Sequence, residues 1–396
     1  MQPERHSGLE LPQPDEASAA HSRRVAEHIC QCIEEAGGSI SFAEFMQHAL
    51  YAPGLGYYVS GTTKFGVDGD FVTAPEVSPL FGQVLARQIA AVLEQMDDGQ
   101  IFELGAGSGV LAATILKKLS MLNSLPERYY VLEVSADLKQ RQQEYLSSAV
   151  PDLAARVEWL SELPVEFSGV IVANEVADAL PVERFTKIGG QLRQIRVVAE
   201  NGQFHWQQND VPDLLGDAID NLEKKIDRPF PDHYQSEICL ALRPWTNDLV
   251  NCLREGLIFL FDYGVTNREY YAPDRYEGWL RCHFRHHAHN NPLILPGIQD
   301  LTAWVDFSAL ADAAVDSGAA IAGFVSQAHF LINGGLPEEL AGFTSLPVEE
   351  QLELSRQTKL LTLPGEMGEH FKCMALCRGD ITPPAAFRES DRTHML

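Results

Sequence analysis

The chain has 396 residues, 45% of them hydrophobic, and a net charge of −25. That length accommodates one large domain or two around a real core. The acidic balance argues against non-specific binding to nucleic acid or anionic membrane. No apolar run approaches the ~20 residues of a transmembrane helix, so no membrane insertion is expected.

Residues 1–20 contain prolines, acids and a single arginine. They read as a disordered tail without the character of a secretory or mitochondrial leader. With seven cysteines and no Cys-x-x-Cys spacing, a reduced, cytoplasmic protein is the expectation. Residues 21–99 read as a helical segment: two helices over 22–50 broken at Gly37-Gly38, a loop over Tyr51–Pro79, then a helix over Pro79–Leu93. Ser41 and Glu44 form a capping box for the second helix.

Residues 100–184 read as the first half of a Rossmann-like core. A buried strand, Gln100–Leu104, carries Glu103 and runs into Gly105-Ala106-Gly107-Ser108-Gly109, with a helical pattern from Val110. Strand, glycine turn and helix build a nucleotide-sized site at the carboxyl edge of an α/β sheet. A dinucleotide fingerprint would need glycine at Val110, and Glu103 would repel a pyrophosphate at the helix start. An acid there suits a cation, and S-adenosylmethionine is one. The next strand, Tyr129–Val134, presents Glu133 near its end, where an acid accepts ribose hydroxyls.

Further strands are expected at Arg156–Leu160, Gly169–Asn174, Gly256–Tyr263, Ala320–Val325 and Lys372–Arg378. The alternation with helical stretches reads as βαβ units. Residues 185–255 form an insertion, first a β-meander turning at Gly189-Gly190 and Asn201-Gly202, then helices. The core resumes over 256–379, interrupted by a polar, irregular lid at 265–300, and 380–396 reads as a C-terminal tail.

Several blocks resemble one family. They are Gly69–Ser78, Asn174–Pro181, Asp262-Tyr263-Gly264, His286–Pro292, Gly297–Phe307, Gln327–Leu331 and Pro364–Lys372. In order, they resemble the MidA family of S-adenosylmethionine-dependent methyltransferases over about residues 39–379. The resemblance implies a class I methyltransferase fold, a seven-stranded sheet with an N-terminal helical segment and two insertions. It also implies arginine Nω-methylation of a protein, a core subunit of respiratory complex I. Thr73, Pro75 and Glu76 would then belong to a loop over the cofactor, with Glu76 at the methionine ammonium.

Asn174, Glu175 and Asp178 follow the fourth strand, at the carboxyl edge where the methyl group would lie. Paired acids there can orient a guanidinium, with Asp178 the proton acceptor, although Asp also readily caps helices. Trp159 is placed near the adenine or in the core. The cluster His283, His286, His287 and His289 lacks a zinc geometry, so no metal is expected there and His286 is assigned to the substrate. Asp262 and Tyr263 are further substrate contacts. A small-molecule N- or O-methyltransferase and a non-catalytic assembly chaperone for complex I remain open as alternatives. Oligomeric state is not legible.

Overall fold

A computed structural model describes residues 11–60 and 73–396. Residues 1–10, and Gly69–Val72 of the block quoted above, lie outside the described residues.

The central sheet is built from β1 (Gln100–Leu104), β2 (Tyr129–Leu132), β3 (Val157–Leu160), β4 (Phe167–Asn174), β5 (Leu253–Val265), β6 (Ala320–Ser326) and β7 (Phe371–Arg378). Their spatial order is β3-β2-β1-β4-β5-β7-β6, and a short eighth strand, Val305–Asp306, pairs parallel with the end of β5. β1 to β5 are parallel, and β7 is antiparallel to both β5 and β6. Alternate residues feed opposite faces. Val170 and Val172 join the cluster under α3 (Pro79–Leu93) and α4 (Val110–Leu122). Ile171 and Ala173 join the cluster under α6 (Leu242–Cys252) and α7 (Phe307–Asp316). Burial on both faces explains why these strands read as continuous apolar runs. Each large apolar side chain so buried contributes about 1.5–3 kcal/mol.

The chain winds from β1 outward to β3, then crosses to β4 on the other side of β1. Such a reversal opens a crevice beyond the carboxyl ends of the two strands.

Before the core lie α1 (Glu16–Glu35) and α2 (Phe42–Tyr51), with the Ser41/Glu44 capping box formed. α1 corrects the expected tail from Glu16 onward. It begins at Glu16, because Asp15 caps the Ser18 N–H and Ala17, Ala19 and Ala20 favour helix. The helix-breaking prolines, Pro12 and Pro14, all precede that cap.

The meander strands Glu183–Ile188, Gln191–Glu200 and Gln203–Asn209 pair antiparallel, joined by Gln235–Ile238 and by Ile40–Ser41 from the N-terminal segment. Both residues of each hairpin turn have positive φ (Gly189 58°, Gly190 77°, Asn201 51°, Gly202 76°), as a type I′ turn requires.

Two expectations give way. Residues 265–300, expected as an irregular lid, are not irregular throughout. They hold a helical turn, Asn267–Tyr270, and a small sheet of Arg281–Phe284, His287–His289 and Asp300–Thr302. Tyr270, Tyr271, Trp279 and Cys282 are buried, and Trp279 stacks on Trp304 at 4.1 Å. The apolar residues, spaced among polar ones, anchor the segment. Residues 380–396 are likewise no free tail. Phe387 is buried against Phe259 and Phe330, and the Arg392 N–H donates to the Phe324 carbonyl of β6 at 2.7 Å.

Candidate active site

The crevice beyond β1 and β4 is a cavity lined from six stretches of chain. β1 delivers Glu103, then the turn Gly105 (φ 62°), Gly107 (φ 55°) and Gly109 (φ 86°), then α4. An added Cβ at Gly105 or Gly109 would meet nothing nearer than 3.6 Å. The left-handed backbone, not lack of space, therefore favours glycine here. Gly105, Ala106 and Gly107 line the cavity with Ser108, whose hydroxyl donates to Glu76. Gly109 caps α4 behind them.

Glu103 is buried at the floor and accepts from the Tyr129 hydroxyl at 2.7 Å. Burial pushes its carboxyl up to about 7, against the opposing Tyr129 hydrogen bond and with help from Glu133. Glu133 follows β2 and lines the wall. It accepts from the Ser135 N–H at 2.9 Å and from Gln142 Nε2 at 2.9 Å. Gln142, on α5 (Ala136–Ala149), also donates to the Gly107 carbonyl at 3.0 Å. Trp159 Nε1 donates to Gln142 Oε1 at 2.8 Å. Trp159 therefore stands behind Gln142 and does not line the cavity. The apolar rim next to Glu133 is Val134, 67% exposed. Thr73, Pro75 and Glu76 lie on and before the short helix Ala74–Val77 and line the cavity beside Ser108.

The far end is made where β4 stops. Asn174 and Glu175 line the cavity. Glu175 adopts φ 55°, and its N–H donates to the Phe261 carbonyl of β5 at 2.8 Å. A left-handed non-glycine residue costs of order 1–3 kcal/mol and marks sites where chain direction matters. Asn174 Nδ2 donates to Glu175 Oε1 at 3.2 Å, while Asn174 Oδ1 is buried without a hydrogen-bond partner. Burial, then the nearby Asp178, holds the Glu175 carboxyl well above the carboxylate range.

Asp178 does not reach the cavity. It is buried on the turn Ala177–Ala179, behind Glu175. The backbone N–H groups of Ala177 and Asp178 donate to Asp262 Oδ2 at 2.9 and 3.1 Å. Burial and then Asp262 and Asp300 raise the Asp178 carboxyl; burial and then Glu175 raise Asp262. Asp178 neither caps a helix of the core nor touches the cleft, because the turn folds its side chain inward. His286 is not at the cleft either. It is exposed at the φ 62° corner between Arg281–Phe284 and His287–His289. Among the described residues the four histidines of this region form no metal-ligating group.

The sequence reading missed Tyr51 and Tyr58, which line the cavity from the N-terminal segment. Tyr51 donates to the Ala179 carbonyl at 3.0 Å and Tyr58 to Asp300 Oδ1 at 2.8 Å. Gln142 and Trp245 were missed too. The capping boxes and strand ends gave no signal for them; only the aromatic richness of Tyr51–Tyr58 did.

The lining carries Glu76, Glu103, Glu133 and Glu175 and, among the described residues, no lysine, arginine or histidine. Such a cleft suits cations and resists pyrophosphate. With the 3-2-1-4-5-7-6 sheet and antiparallel β7, this is the architecture of a class I methyltransferase.

The comparisons agree. A family model described as "Putative S-adenosyl-L-methionine-dependent methyltransferase" matches residues 84–325. A crystal structure of a methyltransferase candidate from Burkholderia thailandensis, bound to S-adenosyl-homocysteine, superposes with a TM-score of 0.92 at 38% identity. It covers 98% of this chain and 100% of its own. The mitochondrial protein arginine methyltransferase NDUFAF7 of Danio rerio is 29% identical over 389 residues, covering 90% of this chain and 87% of its own. That of Bos taurus is 30% identical, covering 86% and 80%. The chain belongs to the MidA family of S-adenosylmethionine-dependent methyltransferases.

Proposed function

We propose that this protein methylates an arginine side chain of a protein substrate, a subunit of respiratory complex I. The observation that carries the reading is Asn174 Oδ1, a buried acceptor without a partner beside Glu175 in a cleft lined by acids. A buried unpaired acceptor costs about 1–3 kcal/mol, which a cationic N–H donor would relieve. The arginine methyltransferase relatives support the choice of guanidinium as that donor.

Glu103, Glu133 and the Gly105–Gly109 turn would hold S-adenosylmethionine, with Glu76 and Thr73 beside them. When bound, it supplies a methyl group activated by its sulfonium. Asn174 and Glu175 orient the guanidinium, whose delocalised charge otherwise keeps its nitrogens poor nucleophiles. Charge from the guanidinium drives Glu175 to its ionised form, and Glu175 takes the Nη proton that methylation displaces. Asp178 and Asp262 act through the Glu175 turn, as positioning residues. The seven cysteines, all free thiols, fit a reducing compartment.

The test is transfer of a labelled methyl group from S-adenosylmethionine to isolated complex I subunits, followed by acid hydrolysis. Label in N-methylarginine supports the reading. Label confined to lysine, to base-labile esters or to small molecules overturns it.

A further inference from the structure

A second constellation lies away from the cleft, where α1 packs on α2. His28 and Cys32 are four residues apart, so they share one stripe of α1. His48, in the last turn of α2, faces that stripe. His28 Nε2 lies 3.3 Å from His48 Nδ1, and Cys32 Sγ lies 3.8 Å from His28 Nε2. All three ligand atoms fall within 4.8 Å of one another. The two rings meet edge to face at 5.0 Å.

These spacings match coordination. Zn–N bonds of about 2.0–2.1 Å and Zn–S bonds of about 2.3 Å, at tetrahedral angles, set N···N near ~3.3 Å and N···S near ~3.6 Å. The His28–His48 and Cys32–His28 contacts fall within a few tenths of an ångström of those edges, and Cys32 and His48 lie within 4.8 Å of each other. By contrast, 3.3 Å is long for a hydrogen bond between two imidazoles. All three side chains are half-buried, so they are held in place yet reachable from solvent. Glu35 lies beside Cys32 and Glu44 beside His48, adding the negative field a cation prefers.

We propose that His28, Cys32 and His48 bind a divalent cation of the zinc class, with the fourth position left to water. One imidazole and one thiolate come from α1 and one imidazole from α2. The ion would clamp the two helices across the Gly37-Gly38 turn. Because α2 ends at Tyr51, the clamp would brace one wall of the cofactor cleft. This site is independent of the methylation chemistry.

The experiment uses the untagged full chain, stripped with chelator and titrated with cobalt(II). One equivalent should bind with the visible bands of tetrahedral cobalt and a near-ultraviolet thiolate charge-transfer band, and zinc should displace it. Cys32→Ser should abolish the charge-transfer band, and His48→Ala should weaken binding by roughly tenfold or more. Cys30→Ser should change neither. Circular dichroism of each variant separates lost ligation from lost fold. Absence of the band in the folded wild type overturns the site. So does a band that survives Cys32→Ser, or that vanishes with Cys30→Ser.

Discussion

Gln142 Nε2 donates to Glu133 Oε2 at 2.9 Å, and the same amide grips the Gly107 carbonyl at 3.0 Å. One buried side chain thus ties the acid after β2 to the glycine turn after β1. Replacing Gln142 with Leu should weaken S-adenosylmethionine binding by about 1–3 kcal/mol although Gln142 does not line the cleft. Glu133→Ala should cost a similar amount, and the double variant should cost less than the sum, since both remove one network. Calorimetric titration of the four proteins tests this; full additivity would show that the two residues act separately.

Glu175→Gln keeps shape and hydrogen-bonding reach while removing the proton acceptor. Methyl transfer should fall by about 10²–10⁴-fold. The cofactor dissociation constant should change little. Single-turnover transfer alongside equilibrium binding would reveal this split, and an unchanged transfer rate would remove Glu175 from the chemistry.

Burial raises the Glu103 carboxyl from 4.5 to about 7. Ionisation is thus disfavoured in the folded, ligand-free protein. The stability this group contributes is complete below its unfolded value and is lost as pH climbs through 7, by about 3 kcal/mol in all. A bound cation reverses the preference and expels the proton. Affinity for S-adenosylmethionine should therefore rise several-fold from about pH 6 to about pH 7.5, with proton release on binding. Titrations in buffers of different ionisation heat measure that release, and Glu103→Gln should flatten the pH profile.

Phe387 packs between Phe259 and Phe330 in the cluster beneath α3. Phe387→Ala should lower stability by about 3–5 kcal/mol. Thermal melts will register it as a fall in Tm. A melting curve like that of wild type would mean that residues 380–396 are not anchored as described.

The sheet was legible because parallel strands buried on both faces leave apolar runs ending in Glu103, Glu133 and Asn174. The glycine turn was legible because three left-handed positions in five residues favour glycine. Less could be read where partners are distant in sequence. Tyr58 meets Asp300 across 242 residues, and neither position carries a local pattern. Gln142 looks like one more polar residue on α5. Asp178 was placed by counting from β4, but the left-handed Glu175 turns the chain, so Glu175 faces the cleft and Asp178 the protein. The residues at 265–300 and 380–396 looked loose because their apolar anchors are scattered singly among polar ones.

β7 is the last strand in the chain and yet sits between β5 and β6. During synthesis, β6 emerges with no neighbour to join, and β5 keeps an open edge on that side until Phe371–Arg378 arrives. Nascent chains stalled or truncated before Phe371 therefore carry an open apolar edge along Leu257–Phe261 of β5 and an unpaired β6 with Phe324 and Val325. Such edges recruit other chains. The final strand therefore decides when the inner edge of β5 and the strand β6 are covered.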